Sequence, residues 1–376
     1  MGSVNGEKGK PVISITIYGQ IGIFLLNVAI LFLVLNILAW AAIKAKHVFH
    51  PSLAGSIQDL HTVYPGWTVR DIVQMYDEHG VNSLQYAPWM GFREKARSGK
   101  YVNVSPEGFR YSFNKNASLK DNGLNIYVFG GSSTFGTGVD DTSTIPAQMQ
   151  KFFGEKYPGK KINVFNFGVG GYYSSQEFEW LATLARHGHV PDIAVFIDGY
   201  NEGFFMEPIF TNELSILFEA KSNDPLLFGK QVIAELPLMD FLLRAFKIKN
   251  SVMGIAIAHG LPSPLESSAR YKLNKKLITV LASEYGIRTY FFIQPVVGYR
   301  NKFRTHLFNP SGATEPELIN TEMMALLAGT ADGKTSFDVT GLLADYEKQP
   351  FVDAAHYTPE VCGMVARAIV ERVAIP

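Results

Sequence analysis

A surplus of charge is the first thing this sequence lacks: 34 lysines and arginines are matched by 34 aspartates and glutamates, for a formal net charge of zero. Without a basic excess there is no electrostatic footprint for a nucleic-acid backbone, so no nucleic-acid partner is expected. Cysteine is nearly absent. Cys362, the one such residue, has no partner for an intramolecular disulfide, and no Cys-x-x-Cys pair is present to hold zinc. It is expected to be a small buried apolar residue on the last helix. The lack of disulfides leaves the compartment open, because 376 residues can build a core without covalent staples. Internal repeats and low-complexity tracts are also missing.

Charged side chains are absent altogether from Pro11 to Ile43. The most apolar part of that run, IGIFLLNVAILFLVLNILAWAAI from Ile21 to Ile43, would span roughly 35 Å as a helix at about 1.5 Å per residue, enough to cross a bilayer. A core helix this long and apolar on every side is uncommon. A cleaved signal peptide would carry an apolar stretch of only about 7 to 15 residues before a small-residue cleavage site. A single transmembrane anchor over 21–43 is therefore expected, after a tail over 1–20. Asn27 and Asn36 lie inside the span, either hydrogen-bonding to another helix in the membrane or simply tolerated there. Lys8 and Lys10 before it balance Lys44 and Lys46 after it, so charge alone gives no orientation.

Residues 44–120 read as an irregular leader with a few short strands, in which KYVNVSPEGFRYSF alternates on both sides of a Pro-Glu-Gly turn and predicts a hairpin. From Asn125 onward buried strands alternate with helices: IYVF precedes a helix near 144–155, INVFNF a helix near 174–187, and DIAVFI and RTYFFIQPVV follow, the last after the helical ARYKLNKKLITVLASEYG. This order predicts an α/β domain over 121–376, with a mostly parallel sheet covered by helices on both faces. The apolar stretch between about 204 and 266, helical and broken at Pro237, is expected to be an insertion forming a cap beside the site or resting on the membrane surface.

The chemistry turns on IYVFGGSSTFGTG at 126–138, where a buried strand runs into two glycines and a hydroxyl cluster. A phosphate-binding P-loop needs a lysine after its last glycine, and Thr137 stands there. A dinucleotide loop fails in NFGVGGYYSS, because Tyr173 occupies the third glycine position. A nucleophilic serine instead needs a base and a group to orient that base. FVDAAHYTPEV provides Asp353 and His356 three apart before the terminal helix. Donors for an oxyanion are also needed, and two strand ends on the same rim offer them: the backbone N–H of Gly171 in GVGGYY and the side-chain amide of Asn201 in DGYNE. Ser133 and Thr134 are alternative nucleophiles or caps of the following helix. Tyr200, within its loop, and Gln294, at the end of the fourth strand, are candidates for a wall touching substrate; Tyr172, Tyr173, Phe204 and Phe205 are wall or plain core. His187 and His189 in RHGHVPD lack further ligands for a metal and read as a solvated helix end.

FGGSSTFG, GVGGYY, GYNE and DAAHYTPE, in this order and at strand ends, resemble the four blocks of the SGNH or GDSL hydrolase family. The resemblance covers about 125–376, with 204–266 outside the usual pattern. It implies a flavodoxin-like three-layer α/β/α sandwich. It also implies Ser132 as nucleophile and oxyanion donor, Gly171 and Asn201 as further donors, His356 as base, Asp353 as its orienting group, and no cofactor. Gly131 stands where an aspartate is usual, Ser133 where leucine is usual, and Glu202 where aspartate is usual. The expected activity is ester hydrolysis through an acyl-enzyme. The substrate is expected to be an acylated small molecule or a cell-surface glycan losing O-acetyl groups outside the cytoplasmic membrane. Acyl transfer to a sugar hydroxyl is the catalytic alternative, and a non-catalytic subunit bound to a membrane-protein partner is the other.

Overall fold

The computed structural model describes residues 13–49, 62–79, 83–203, 233, 236–239, 242, 262–303, 320–353 and 355–376. They fall into two compact units, Met1–Phe49 with Ile216–Asn250, and His50–Ser215 with Ser251–Pro376.

In the first unit, helix α1 runs from Ile13 to Phe49, longer at both ends than the span read from the sequence. Its stretch Ile17–Ala42, 26 residues, is long and apolar enough to cross a membrane. Asn27 is exposed, whereas Asn36 is half-buried and Ala39 buried. The Asn36 amide donates to Phe32 O at 2.9 Å on its own helix, and its oxygen accepts the Leu238 N–H at 3.1 Å. Leu238 belongs to a helical stretch, 237–239, that follows a bend at Leu236. The break expected at Pro237 thus falls one residue earlier, and most of the remaining insertion, including Phe204 and Phe205, lies outside the described residues.

The second unit opens with α2 (Val69–Glu78), which the sequence reading missed although Thr68 and Asp71 form a reciprocal capping box at its start. Strands β1 (Leu84–Ala87) and β2 (Gly91–Glu94) pair antiparallel, as do β3 (Arg97–Ser98) and β4 (Asn103–Val104). The hairpin expected around the Pro-Glu-Gly turn shrinks to one bridge between Val104 and Arg110. The cause is visible at Arg110, whose N–H goes to Asn166 O at 2.8 Å, so residue 110 also bridges to the central sheet.

That sheet begins with β5 (Leu124–Gly130), followed by the one-turn helix α3 (Ser132–Phe135) and α4 (Ile145–Lys156). Then come β6 (Ile162–Gly168), α5 (Ser174–Arg186), β7 (Ile193–Asp198), a 3-10 turn at Tyr200–Gly203, α6 (Pro264–Glu284), β8 (Arg288–Ile293), α7 (Thr321–Ala328), β9 (Ser336–Asp338) and α8 (Pro359–Arg372). The strand order is β6-β5-β7-β8-β9 with every pairing parallel. Winding reverses between β5 and β7, the place where ligands collect in open α/β sheets. Helix α6 begins at Pro264, inside the region read as an insertion up to 266.

Side chains alternate as a two-faced sheet requires. Ile126 and Val128 point into a core with Ile145, Met149 and Phe153 of α4 and Val361, Val365 and Ile369 of α8; Tyr127 and Phe129 point into the opposite core with Trp180 and Leu181 of α5 and Ile278 of α6. On this second face Phe167, Phe129, Phe196 and Phe291 stack in a row across four strands, centroids 5.0 to 5.6 Å apart. Threonine or serine caps start the outer helices where the sequence has Pro in the first turn: Thr144 for α4, Ser263 for α6 and Thr358 for α8. Cys362 is buried in the first core, and burial pushes its thiol up to about 12, as befits a small apolar residue.

Arg110 is the one cation placed wholly inside the described core, 1% exposed. Its Nε pairs with Asp141 at 2.9 Å, Nη1 donates to Phe135 O (3.0 Å) and Gly136 O (2.8 Å), and Nη2 donates to Val139 O at 2.8 Å. The last carbonyls of α3, which the helix itself cannot satisfy, are met in this way. Replacing Arg110 by leucine would leave the buried Asp141 without its counter-charge and take a donor from each of those carbonyls. The expected loss is about 3–5 kcal/mol, read as a lower urea midpoint of the full chain in detergent; an unchanged midpoint would contradict this role.

Candidate active site

Four loops at the carboxyl ends of the strands build the site. The first follows β5. Gly131 is the N-cap of α3 and Ser132 its first residue, half-buried at the strand end. Asn166 of β6 holds this turn from below: its amide donates to Thr134 O (3.0 Å) and Phe135 O (3.2 Å), while its oxygen accepts Gly168 N. The cap expected from Ser133 and Thr134 is not made, for α3 has no side-chain cap. Ser133 Oγ instead donates to Ala355 O at 3.3 Å, and Thr134 is fully buried. Of the three hydroxyls, Ser132 is the one neither committed to a backbone carbonyl nor fully buried.

The Ser133 bond ties the first loop to the last. There Phe351 and Tyr357 form an antiparallel bridge, Val352 N donates to His356 O at 2.9 Å and Thr358 N to Pro350 O at 2.9 Å, closing a tight turn before α8. Inside it Asp353 Oδ1 accepts the N–H groups of Ala355 (2.9 Å) and His356 (2.8 Å), and Oδ2 lies 2.6 Å from His356 Nδ1. Burial alone would raise the Asp353 carboxyl, but the neighbouring imidazole and these hydrogen bonds overcome it and hold the group below its ordinary value. An ionised Asp353 makes Nδ1 the protonated nitrogen, so Nε2 of neutral His356 carries the lone pair. Nε2 is buried and has no hydrogen-bond partner among the described residues. A Ser132 Oγ to Nε2 bond is accordingly not formed here; such bonds often tighten only with substrate bound.

The second and third loops meet the first at Gly131. The Asn201 amide, on the 3-10 turn after β7, donates to Tyr172 O at 2.7 Å. A Cβ on residue 131 would come within 2.3 Å of Asn201 Nδ2 and 3.1 Å of Tyr172 O. Glycine at 131, where the resemblance leads one to expect aspartate, is thus what lets the Asn201 amide lie against the serine turn. Gly171 has φ +82°, a left-handed conformation that favours glycine, in the tight loop between β6 and α5. Among the described residues neither the Ser132 N–H nor the Gly171 N–H donates a hydrogen bond. The leader covers the back of this loop: Tyr172 OH donates to Phe92 O, and Gln176 Nε2 to Met90 O at 3.0 Å.

Tyr200 is half-buried beside Asn201; burial first and the Asp353 charge second push its phenol up to about 12, which puts it within electrostatic reach of the last loop. Gln294 follows β8 directly and is buried, with its N–H on Asp198 O at 2.8 Å and its Oε1 unpartnered among the described residues. Tyr172 and Tyr173 are core, each 1% exposed. His187 is the exposed C-cap of α5, its Nδ1 2.7 Å from Thr183 O, as expected of a solvated helix end.

Behind the loops lies a buried cluster that sequence reading did not find. Glu177, Asp198 and Glu202 are at most 5% exposed, and Glu202 pairs with Arg270 of α6 at 3.0 Å. Burial above all, then the adjoining carboxylates, push Glu177 and Asp198 well above the ordinary carboxylate range.

No protein-family model and no curated protein matches this chain. Solved structures similar to it include an alpha/beta hydrolase from the metagenome of Lake Arreo, Spain (14% identity, 68% of this chain and 97% of that one, TM-score 0.38). A lipolytic protein of the G-D-S-L family from Desulfitobacterium hafniense is 12% identical (66% and 99% covered, TM-score 0.36). An acetylxylan esterase from Geobacillus stearothermophilus is also 12% identical (69% and 98% covered, TM-score 0.36).

The space at Gly131 gives a direct test of this geometry. Gly131→Ala should destabilise the parent by about 1–2 kcal/mol, a lost hydrogen bond plus a displaced side chain. The same change should cost little when Asn201 is already alanine. Equal costs in the two backgrounds, measured by urea unfolding, would contradict the packing.

Proposed function

We propose that the chain is a membrane-anchored ester hydrolase of the SGNH type, working through an acyl-enzyme on Ser132. The observation that carries this reading is the buried, unpartnered Nε2 of His356, oriented by Asp353 in a turn bonded directly to the Ser132–Ser133 loop. In the first step Ser132 Oγ attacks the ester carbonyl carbon while its proton passes to His356 Nε2. The negative charge that develops on the carbonyl oxygen is met by the N–H groups of Ser132 and Gly171 and the Asn201 amide. The carbon–oxygen bond to the alcohol then breaks, and the alcohol leaves with the proton from His356. Water reverses the sequence: His356 takes its proton, its oxygen attacks the acyl carbon, and the carboxylic acid departs as Ser132 regains its hydrogen. Asp353 stays ionised throughout and stabilises the imidazolium.

The apolar run Ile17–Ala42 would hold this chemistry at a membrane. By the family resemblance the site would lie outside the cytoplasmic membrane and act on acetylated glycans. Tyr200 and Gln294, on the same rim, would contact the substrate.

Hydrolysis of an aryl acetate by the purified full chain tests the reading. Ser132→Ala and His356→Gln should each lower kcat by about 10³-fold or more, and the double variant no further, because the two act as a unit. A parent no faster than Ser132→Ala would remove the catalytic claim and favour a non-catalytic subunit. Adding an acetyl-accepting oligosaccharide distinguishes the two catalytic outcomes: acetylated sugar formed at the expense of free acetate would mean acyl transfer.

A further inference from the structure

The two loops that carry Gly171 and Asn201 come from different strands, and one side chain joins them. Glu202, the residue after Asn201, is 1% exposed. Its Oε1 accepts the Ser174 N–H at 2.7 Å, at the start of α5 and three residues beyond Gly171. Its Oε2 accepts Arg270 Nη2 at 3.0 Å, and the same nitrogen donates to the Glu202 backbone oxygen at 2.6 Å. Arg270 therefore holds both the side chain and the main chain of the turn. Its guanidinium is in turn seated over the Tyr173 ring, 4.7 Å to the centroid, so it also touches the loop that carries Gly171. One turn further along α6, Asn274 donates to Ser174 Oγ (3.0 Å) and Ser175 Oγ (2.8 Å).

We propose that Glu202, clamped by Arg270, is a positioning residue that sets the Asn201 amide and the Gly171 loop at a fixed separation; the inference rests on the ester-hydrolase reading. A carboxylate is needed for a physical reason. One oxygen must accept a backbone N–H while the other takes a charge-assisted bond from Nη2 of a buried guanidinium. Glutamate also reaches further than the aspartate usual at this position. The ion pair of Arg270 is made with Glu202, at 3.0 Å, while burial and the adjoining carboxylates push Glu177 and Asp198 upward. Since the Asn201 amide is itself wedged between Gly131 and Tyr172 O, a shift of the turn moves the donor that the reaction uses.

The experiment is a double-mutant cycle in the full chain, with aryl acetate kcat and KM as one readout and hydrogen exchange of the segments 169–175 and 199–203 as the other. Glu202→Gln keeps the shape but loses the charge that Arg270 requires. It should lower kcat about tenfold to a hundredfold with KM changed less than about twofold, somewhat less than deleting an oxyanion donor outright. In an Asn201→Ala background the same substitution should lower kcat by clearly less than in the parent, because one of the two donors it positions is gone and only the Gly171 loop is left to shift. Exchange in both segments should rise together. An equal loss of kcat in both backgrounds, or exchange that stays at the parental rate in either segment, overturns the proposal. Should the parent show no Ser132-dependent turnover, the ester-hydrolase reading fails, and the exchange result alone then decides whether Glu202 joins the loops. Glu202→Asp, which keeps the charge but shortens the reach, guards against a misfolded variant: it should retain the parent melting temperature more closely while showing the same joint rise in exchange.

Discussion

The Asn201 amide lies where a side chain on residue 131 would have to go, and it is bonded to the carbonyl of Tyr172. Three strand ends meet at that point: the serine turn after β5, the glycine loop after β6 and the 3-10 turn after β7. Each is carried there by the reversal of winding between β5 and β7, which opens a crevice at the carboxyl edge of a parallel sheet. Nearly everything else in the site can be understood as holding this meeting place in shape. Asn166 and Arg110 satisfy the end of α3 from beneath, β1 and β2 pack behind Tyr172, and Glu202 with Arg270 ties the second and third loops together.

The fourth loop comes from the far end of the chain and is built differently. It owes little to the sheet and much to its own hydrogen bonds: Asp353 accepts two backbone N–H groups and faces the imidazole, so the carboxylate is ordered and its charge retained in a buried place. Such a carboxylate fixes the tautomer of the histidine. The bond from Ser133 to Ala355 O then sets this turn against the serine turn. Ser133, where the family resemblance leads one to expect leucine, thereby acquires a task of its own.

Much of this was legible in the sequence, and the reasons are local. Buried parallel strands announce themselves as short apolar runs, and T-x-P, S-P and T-P steps stand where α4, α6 and α8 begin. The four blocks could be read because each lies within eight residues of a strand or helix end. What escaped was either too short or too distant. β9 has only three residues, Ser336–Asp338, too few for periodicity. α2 was hidden by its polar composition, although its Thr68–Asp71 capping box was there to be seen. Arg110 looked like an ordinary hairpin residue, since nothing in a lone arginine foretells burial among carbonyls. Glu202 and Arg270 are 68 positions apart, and only the packing of α6 against the 3-10 turn at Tyr200–Gly203 brings them together.

The central claim is that Ser132 is the activated hydroxyl, and a fluorophosphonate reports this without knowledge of the substrate. The serine oxygen forms a bond to phosphorus, fluoride leaves, and the proton passes to the base. Mass mapping of the labelled full chain should place a single phosphonyl group on Ser132, with labelling lost in Ser132→Ala and strongly slowed in His356→Gln. Label on Ser133 or elsewhere, or equal labelling of the parent and Ser132→Ala, would contradict the account.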